Sequence, residues 1–167
     1  GDRSHSLFAV RSGSAKTYTI DSQGEEQVIG FHLPGELIGL DAIGTESFQN
    51  SAKALETSSF CEIPYDKMTQ LSQKISNLQL HMYQLLGREI RQDQELQLLL
   101  GKKTAEERIA AFLFNLAERY KARKLSATVF RLPMVRTDIA NYLGLAVETT
   151  SRIFTRLQQQ EIIAVKG

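Results

Sequence analysis

The 167 residues are 42% hydrophobic, enough to bury a core and near the length at which two small domains become as natural as one, so a disordered tail is excluded. No apolar run approaches the ~20 residues of a membrane span, and the single cysteine, Cys61, excludes an internal disulfide. The formal net charge of +1 conceals a division at Gly101, since residues 1 to 101 carry 8 Lys/Arg against 13 Asp/Glu and residues 102 to 167 carry 12 against 6, which points to a basic C-terminal module that meets a polyanion.

From Leu7 to about Pro64 short β-prone runs alternate with turn residues: FAV, AKTYTI, EQVIGF, ELIGL, SAKALE and FCEIP. Between TYTI and EEQVIGF stands DSQG, with Gly24 placed for the positive φ of a tight hairpin turn. Strands of this length and spacing predict a small β barrel or roll. HLPGELIGL, with Gly35 and Gly39, predicts a loop bending into a short strand or turn. Taken alone, Cys61 within SSFCEIP fits a small buried hydrophobe.

Residues Asn77 to Leu100 lack proline, and their apolar positions recur at helical spacing. One stripe carries Leu78, Met82, Leu85 and Leu99; the other carries Tyr83, Leu86, Ile90, Asp93, Gln97 and Leu100 in alternating steps of 3 and 4. The second spacing is that of a coiled-coil seam, although simple core packing of an amphipathic helix accounts for it as well. Asp93 is the oddity of that seam. In a symmetric pair it would lie near its own copy, and two carboxylates would repel.

After GKK, Thr104-Ala105-Glu106-Glu107 has capping-box spacing and opens a helix through ERIAAFLFNLAERY. Basic KARK and then VFRLPM lead to two short helices, around Thr137 to Leu143 and Val147 to Gln158, and EIIAVKG is expected to be the first strand of a hairpin. The chain has no initiating Met and stops just after that run, so both ends are expected to be cut.

Counted from Arg136, Ile139, Ala140, Leu143, Gly144, Leu145 and Ile153 occupy the places a helix-turn-helix needs, with the small Ala allowing close approach and Gly144 supplying the turn. Val147, Thr150, Ile153, Phe154 and Leu157 would face inward. Glu148, Ser151 and Arg152 would then project together where a recognition helix meets base edges, with Arg152 also steadying the Glu148 carboxylate. Arg136, Thr155, Arg156 and Lys166, with the KARK run, suit phosphate contacts. Val135 and Ala146 are poor caps for the two short helices, and Thr150 stands where an apolar residue is usual. A β-roll enzyme of cupin type would need a metal site, and His5, His32 and His81 are scattered.

The stretches FAVRSG, EEQVIGFHLPGELIG, ALETSSFCEIP, KKTAEERIAAFL and NYLGLAVETTSR resemble the CRP/FNR superfamily of bacterial transcription regulators, in particular its FNR/ANR branch of oxygen-responsive anaerobic regulators. The resemblance implies an α+β chain: a cyclic-nucleotide-binding-like β roll at 1–76, a dimerisation helix at 77–101 and a winged helix-turn-helix domain at 102–167. It implies a cytoplasmic homodimeric activator, not an enzyme, whose Glu148, Ser151 and Arg152 read TTGAT-type half-sites of an inverted repeat in double-stranded DNA. It further implies RNA polymerase contacts through roll loops, with Ser12 and Gly24 as positions. Cys61 would be one of four thiolates of a [4Fe-4S] cluster, the other three belonging to an N-terminal segment outside this sequence. Cyclic-nucleotide members hold a phosphate with a Glu after Gly and an Arg before Ser-Ala; here Glu36 follows Gly35, but Asn50 precedes Ser51-Ala52, which argues against that ligand. The alternative is a regulator sensing a haem-bound gas or another small ligand in the roll.

Overall fold

In the computed structural model, which describes residues 4–45 and 47–165, the short apolar runs become β1 (Ser6–Ser12), β2 (Ala15–Ile20), β3 (Glu26–His32), β4 (Leu37–Ile38), β5 (Ser51–Ala54) and β6 (Ser59–Pro64). They form two antiparallel three-stranded sheets, ordered β4-β1-β6 and β3-β2-β5. Their inward residues, Leu7, Val10, Ala15, Val28, Phe31 and Ile38, are buried with Leu33 and Ala42. Full burial of a Val, Leu, Ile or Phe contributes about 1.5–3 kcal/mol, and Val10 and Ile38 of one sheet cluster with Ala15 of the other, with Phe8 packed against them. The β2–β3 hairpin turns where DSQG predicts. Gly24 sits at φ 87°, and the Asp21 carboxylate accepts from the backbone N–H groups of Gln23 and Glu25 at 2.8 and 3.0 Å.

β6 runs through Pro64 directly into a helix not anticipated from sequence, α1 (Tyr65–Lys74). Met68, Leu71 and Ile75 at i, i+3 and i+7 are its only signal. Then comes α2 (Ser76–Lys102), 27 residues without one buried side chain. Leu78, Met82, Leu85 and Leu99 are half-buried, as are Leu86 and Leu100, while Tyr83, Ile90, Asp93 and Gln97 are exposed. A single copy therefore covers much of the first stripe and leaves Tyr83, Ile90, Asp93 and Gln97 of the second in water.

The chain divides into two compact units, 1–94 and 95–167. In the second, α3 (Ala105–Ala122) begins with the expected capping box: the Glu107 N–H donates to Thr104 Oγ1 and the Thr104 N–H donates to the Glu107 carboxylate at 2.8 Å. The bond from the Thr104 N–H, followed by those from the Lys103 ammonium and the Thr104 hydroxyl, lowers the Glu107 carboxyl pKa, so the box is complete above the ordinary carboxylate range and lost as pH falls through the lowered value. Ile109, Phe112 and Leu116 of α3 are buried, as are Ile139, Ala140 and Leu143 of α4 (Arg136–Tyr142) or its end and Ile153, Phe154 and Leu157 of α5 (Val147–Gln159).

α4 stops in a Schellman motif. Gly144 adopts φ 61°, Leu145 N–H reaches Ala140 C=O at 2.9 Å, and Gly144 N–H reaches Asn141 C=O at 3.2 Å. The same pair of bonds closes α3 at Lys124 (φ 60°) and α5 at Glu161 (φ 58°), where no glycine marks the stop.

Three expectations are corrected. Cys61 is exposed on β6, opposite Ala9, so it is not a buried hydrophobe. Val147 is 37% exposed at the first position of α5 and does not join the inward face. Residues 162–165 form no strand, because a strand needs a paired neighbour and no described residue pairs with them.

Thr150 is wholly buried, and among the described residues its Oγ1 has no hydrogen-bond partner. A buried polar group left unpaired destabilises, whereas an apolar group of the same shape does not. Thr150→Val is expected to stabilise the second unit by about 1 kcal/mol, raising its melting temperature by roughly 5 °C. A lower melting temperature would contradict this account of the site.

Candidate nucleic-acid interface

The helix pair α4–α5 is held by its apolar faces and by one arginine from α3. Arg108 donates from Nε to Lys103 C=O at 3.0 Å, from one terminal nitrogen to Leu100 C=O at 2.7 Å and from the other to Leu143 C=O at 3.0 Å. The carbonyls at the end of an α-helix lack intrahelical partners. Arg108 therefore satisfies the ends of α2 and α4 with one rigid fork of donors. Sequence spacing offers no sign of this role, because all three acceptors are backbone atoms.

With Thr150, Ile153, Phe154 and Leu157 buried, α5 turns Glu148, Ser151, Arg152, Thr155 and Arg156 to solvent, as predicted. Glu148 and Arg152 do not form the expected ion pair; Arg152 donates instead to Thr149 Oγ1 at 3.4 Å. Arg136, at the start of α4, lies with its guanidinium carbon 3.4 Å from the centroid of the Phe154 ring. Partial burial there lowers its pKa, but a guanidinium stays charged at any physiological pH. Thr155 Oγ1 donates within the helix to Ser151 C=O at 3.1 Å, and Arg156 pairs with Glu106 of α3 at 2.5 Å. Lys166 lies outside the described residues. Neither the Arg136–Phe154 stack nor the Arg156–Glu106 pair carries a sequence signature.

In the first unit a cavity of about 250 Å³ opens beside His32, Asp41, Asn50, Glu89 and Asp93, with Leu86 and Ile90 among its apolar walls. Asn50 is engaged, donating to the Asp41 carboxylate at 2.6 Å. No Lys or Arg is among the described residues lining the cavity, so a phosphate would meet carboxylates and no counter-charge. Cys61 offers an exposed thiol, and among the described residues no three His, Cys, Asp or Glu side chains are grouped to hold a metal. No helix among them is long and apolar enough to cross a membrane.

Residues 1–74 match the cyclic nucleotide-binding domain model and residues 107–167 the Crp-like helix-turn-helix domain model. The chain is 55% identical over its full 167 residues to the transcriptional activator protein anr of Pseudomonas aeruginosa, covering 68% of that protein. It belongs to the CRP/FNR family of transcription regulators. The fumarate and nitrate reduction regulatory protein of Escherichia coli K12 is 53% identical over all of the chain, which covers 67% of it. Among solved structures, FixK2 from Bradyrhizobium japonicum superposes with a TM-score of 0.88 at 31% identity, over 99% of this chain and 81% of that one. This member of the CRP/FNR family is an FNR/ANR-like transcription regulator of anaerobic genes, not an enzyme, and it binds DNA through its helix-turn-helix. The α+β architecture of roll, long helix and C-terminal helix-turn-helix is the family's.

Arg108→Ala in this CRP/FNR regulator leaves three helix-end carbonyls without their charged donor and is expected to destabilise the second unit by about 2 kcal/mol in a denaturant titration. An unchanged midpoint would mean that water replaces the guanidinium at no cost.

Proposed function

We propose that the chain carries the sensing, pairing and reading parts of an oxygen-responsive regulator: a sensor roll at 1–76, a dimerisation helix at 77–101 and a DNA-reading domain at 102–167. The observation that carries the reading is the exposed row Glu148, Ser151 and Arg152 on the first turns of α5, beside arginines at 136 and 156. An arginine there can bond guanine O6 and N7 together, a carboxylate can accept from cytosine N4, and a serine hydroxyl serves several bases. This set suits a TTGAT-type half-site, and two-fold pairing would space two such helices one DNA turn apart. Arg136, Thr155, Arg156 and Lys166 are assigned to phosphates, which set affinity and salt dependence rather than sequence.

Cys61 would hold a [4Fe-4S] cluster together with three thiolates from outside this sequence, and its exposure on β6 leaves the thiol open to such ligation. When bound, the cluster supplies an oxygen-labile set of iron–thiolate bonds. The second stripe of α2, with Tyr83, Leu86, Ile90, Asp93, Gln97 and Leu100, is the pairing surface, and Ser12 and Gly24 are exposed points at which RNA polymerase could be met. A second reading, a small ligand or haem in the roll, has the 250 Å³ cavity as its motive, although that volume is below the roughly 300–1,000 Å³ of common ligand pockets.

Anaerobic iron–sulfide reconstitution of the intact protein tests the proposal, with cluster absorbance, solution mass and binding to a TTGAT inverted repeat recorded before and after air. Absorbance, dimer and DNA binding are expected to disappear together. DNA binding that persists with no cluster at any stage would reject oxygen sensing and turn attention to a haem spectrum.

Asp93 sets the balance of pairing. Partial burial raises its carboxyl pKa, and with Asp41 and Glu89 beside the same cavity, a second Asp93 across a two-fold axis adds like charge. Pairing is then weakest when the carboxylate is charged and strengthens as pH falls through its raised pKa. Asp93→Ala is expected to dimerise under air more strongly than the parent and to lose that pH dependence; equal dimerisation of the two proteins sinks the repulsion account.

A further inference from the structure

Arg156 lies one helical turn beyond Arg152 on the exposed face of α5, and its guanidinium is paired with a carboxylate of another helix. Glu106, on the first turn of α3, meets it at 2.5 Å, and the two side chains keep 47% and 49% of their accessible area. A pair this open is screened by water and salt, so it is weak and can exchange partners. The first turn of α3 is itself fixed by the Thr104–Glu107 box and by Arg108. Glu106 is therefore presented from a rigid platform, and by engaging a terminal nitrogen of Arg156 it fixes where that guanidinium points.

A DNA phosphate and a carboxylate are the same kind of acceptor for a guanidinium. We infer that Glu106 is an internal competitor of the DNA backbone: it occupies Arg156 in the free regulator, and binding requires Arg156 to exchange the carboxylate for a phosphate. This rests on the assignment of Arg156 to phosphate contact. Glu106 thus lowers affinity for all duplex DNA alike, as a contact that carries no sequence information must. The exchange also brings the freed carboxylate near the DNA, which adds to the same penalty.

The test uses the intact regulator in its DNA-binding state and two duplexes of equal length, one with a TTGAT inverted repeat and one scrambled. Fluorescence anisotropy gives the affinity of the parent, Glu106→Gln, Arg156→Gln and the double variant at two salt concentrations. Glu106→Gln is expected to tighten binding to both duplexes by about two- to fivefold per half-site, the scale of an exposed ion pair. The gain shrinks at high salt and is absent from the Arg156→Gln background. Glu106→Asp, which keeps the charge and shortens the reach, is expected to give a smaller gain and guards against a folding defect in the Gln variant, as do melting curves of each protein. No gain in Glu106→Gln, or an equal gain without Arg156, overturns the competitor role and leaves only a general charge effect. If Arg156→Gln leaves both affinities unchanged, the phosphate assignment itself fails, a result distinct from a flat Glu106 variant.

Discussion

The carbonyl ends of two helices converge on the guanidinium of Arg108, and the geometry of the DNA-reading unit depends on that convergence. A helix end without partners frays or tightens. By bonding Leu100 and Lys103 on one side and Leu143 on the other, Arg108 makes the end of α2, the start of α3 and the stop of α4 a single rigid corner. The turn into α5 begins one residue later, at Gly144, so the direction of the recognition helix is set from that corner. The apolar contacts of Ile139, Leu143, Ile153 and Phe154 then need only fill the angle.

Charge follows the same division of labour. Asp41 of the roll and Glu89 and Asp93 of α2 surround the cavity of the first unit, while cations concentrate beyond Gly101. The basic unit does not present all its charge at once. Arg136 is stacked on Phe154 and Arg156 is paired to Glu106, so part of the positive potential is held in defined places instead of swinging freely. An arginine already positioned loses less rotamer freedom when it meets a phosphate, and a paired one has a partner to give up.

Elements whose cause is local were legible in the sequence. The β2–β3 hairpin at DSQG, the Thr104–Glu107 capping box and the α4 stop at Gly144 each follow from one or two residues whose backbone preference is strong. The ends of α3 and α5 were less legible because Lys124 and Glu161 take the left-handed position that glycine would have announced. α1 is hard to read from sequence because Pro64 and three spaced apolar residues give little pattern, and none of its side chains is buried. The outward face of α5 was predictable from period 3.6, but its pairings were not. Arg152 turns to Thr149 of its own helix through a choice of rotamer, while Arg156 reaching Glu106 and Arg108 collecting the Leu143 carbonyl depend on where separate helices pack.

The positions of α2 left exposed within one chain, Tyr83, Ile90, Asp93 and Gln97, have a consequence, under the proposed pairing, for how a cell would experience this regulator. If their stripe is the pairing surface proposed above, two copies cover it by meeting, and meeting is governed by mass action. Abundance thus becomes an input in its own right: the amount of protein made sets how strong a signal is needed before half of it is paired. Changes in synthesis or degradation would shift the threshold of the response without altering a single contact on DNA.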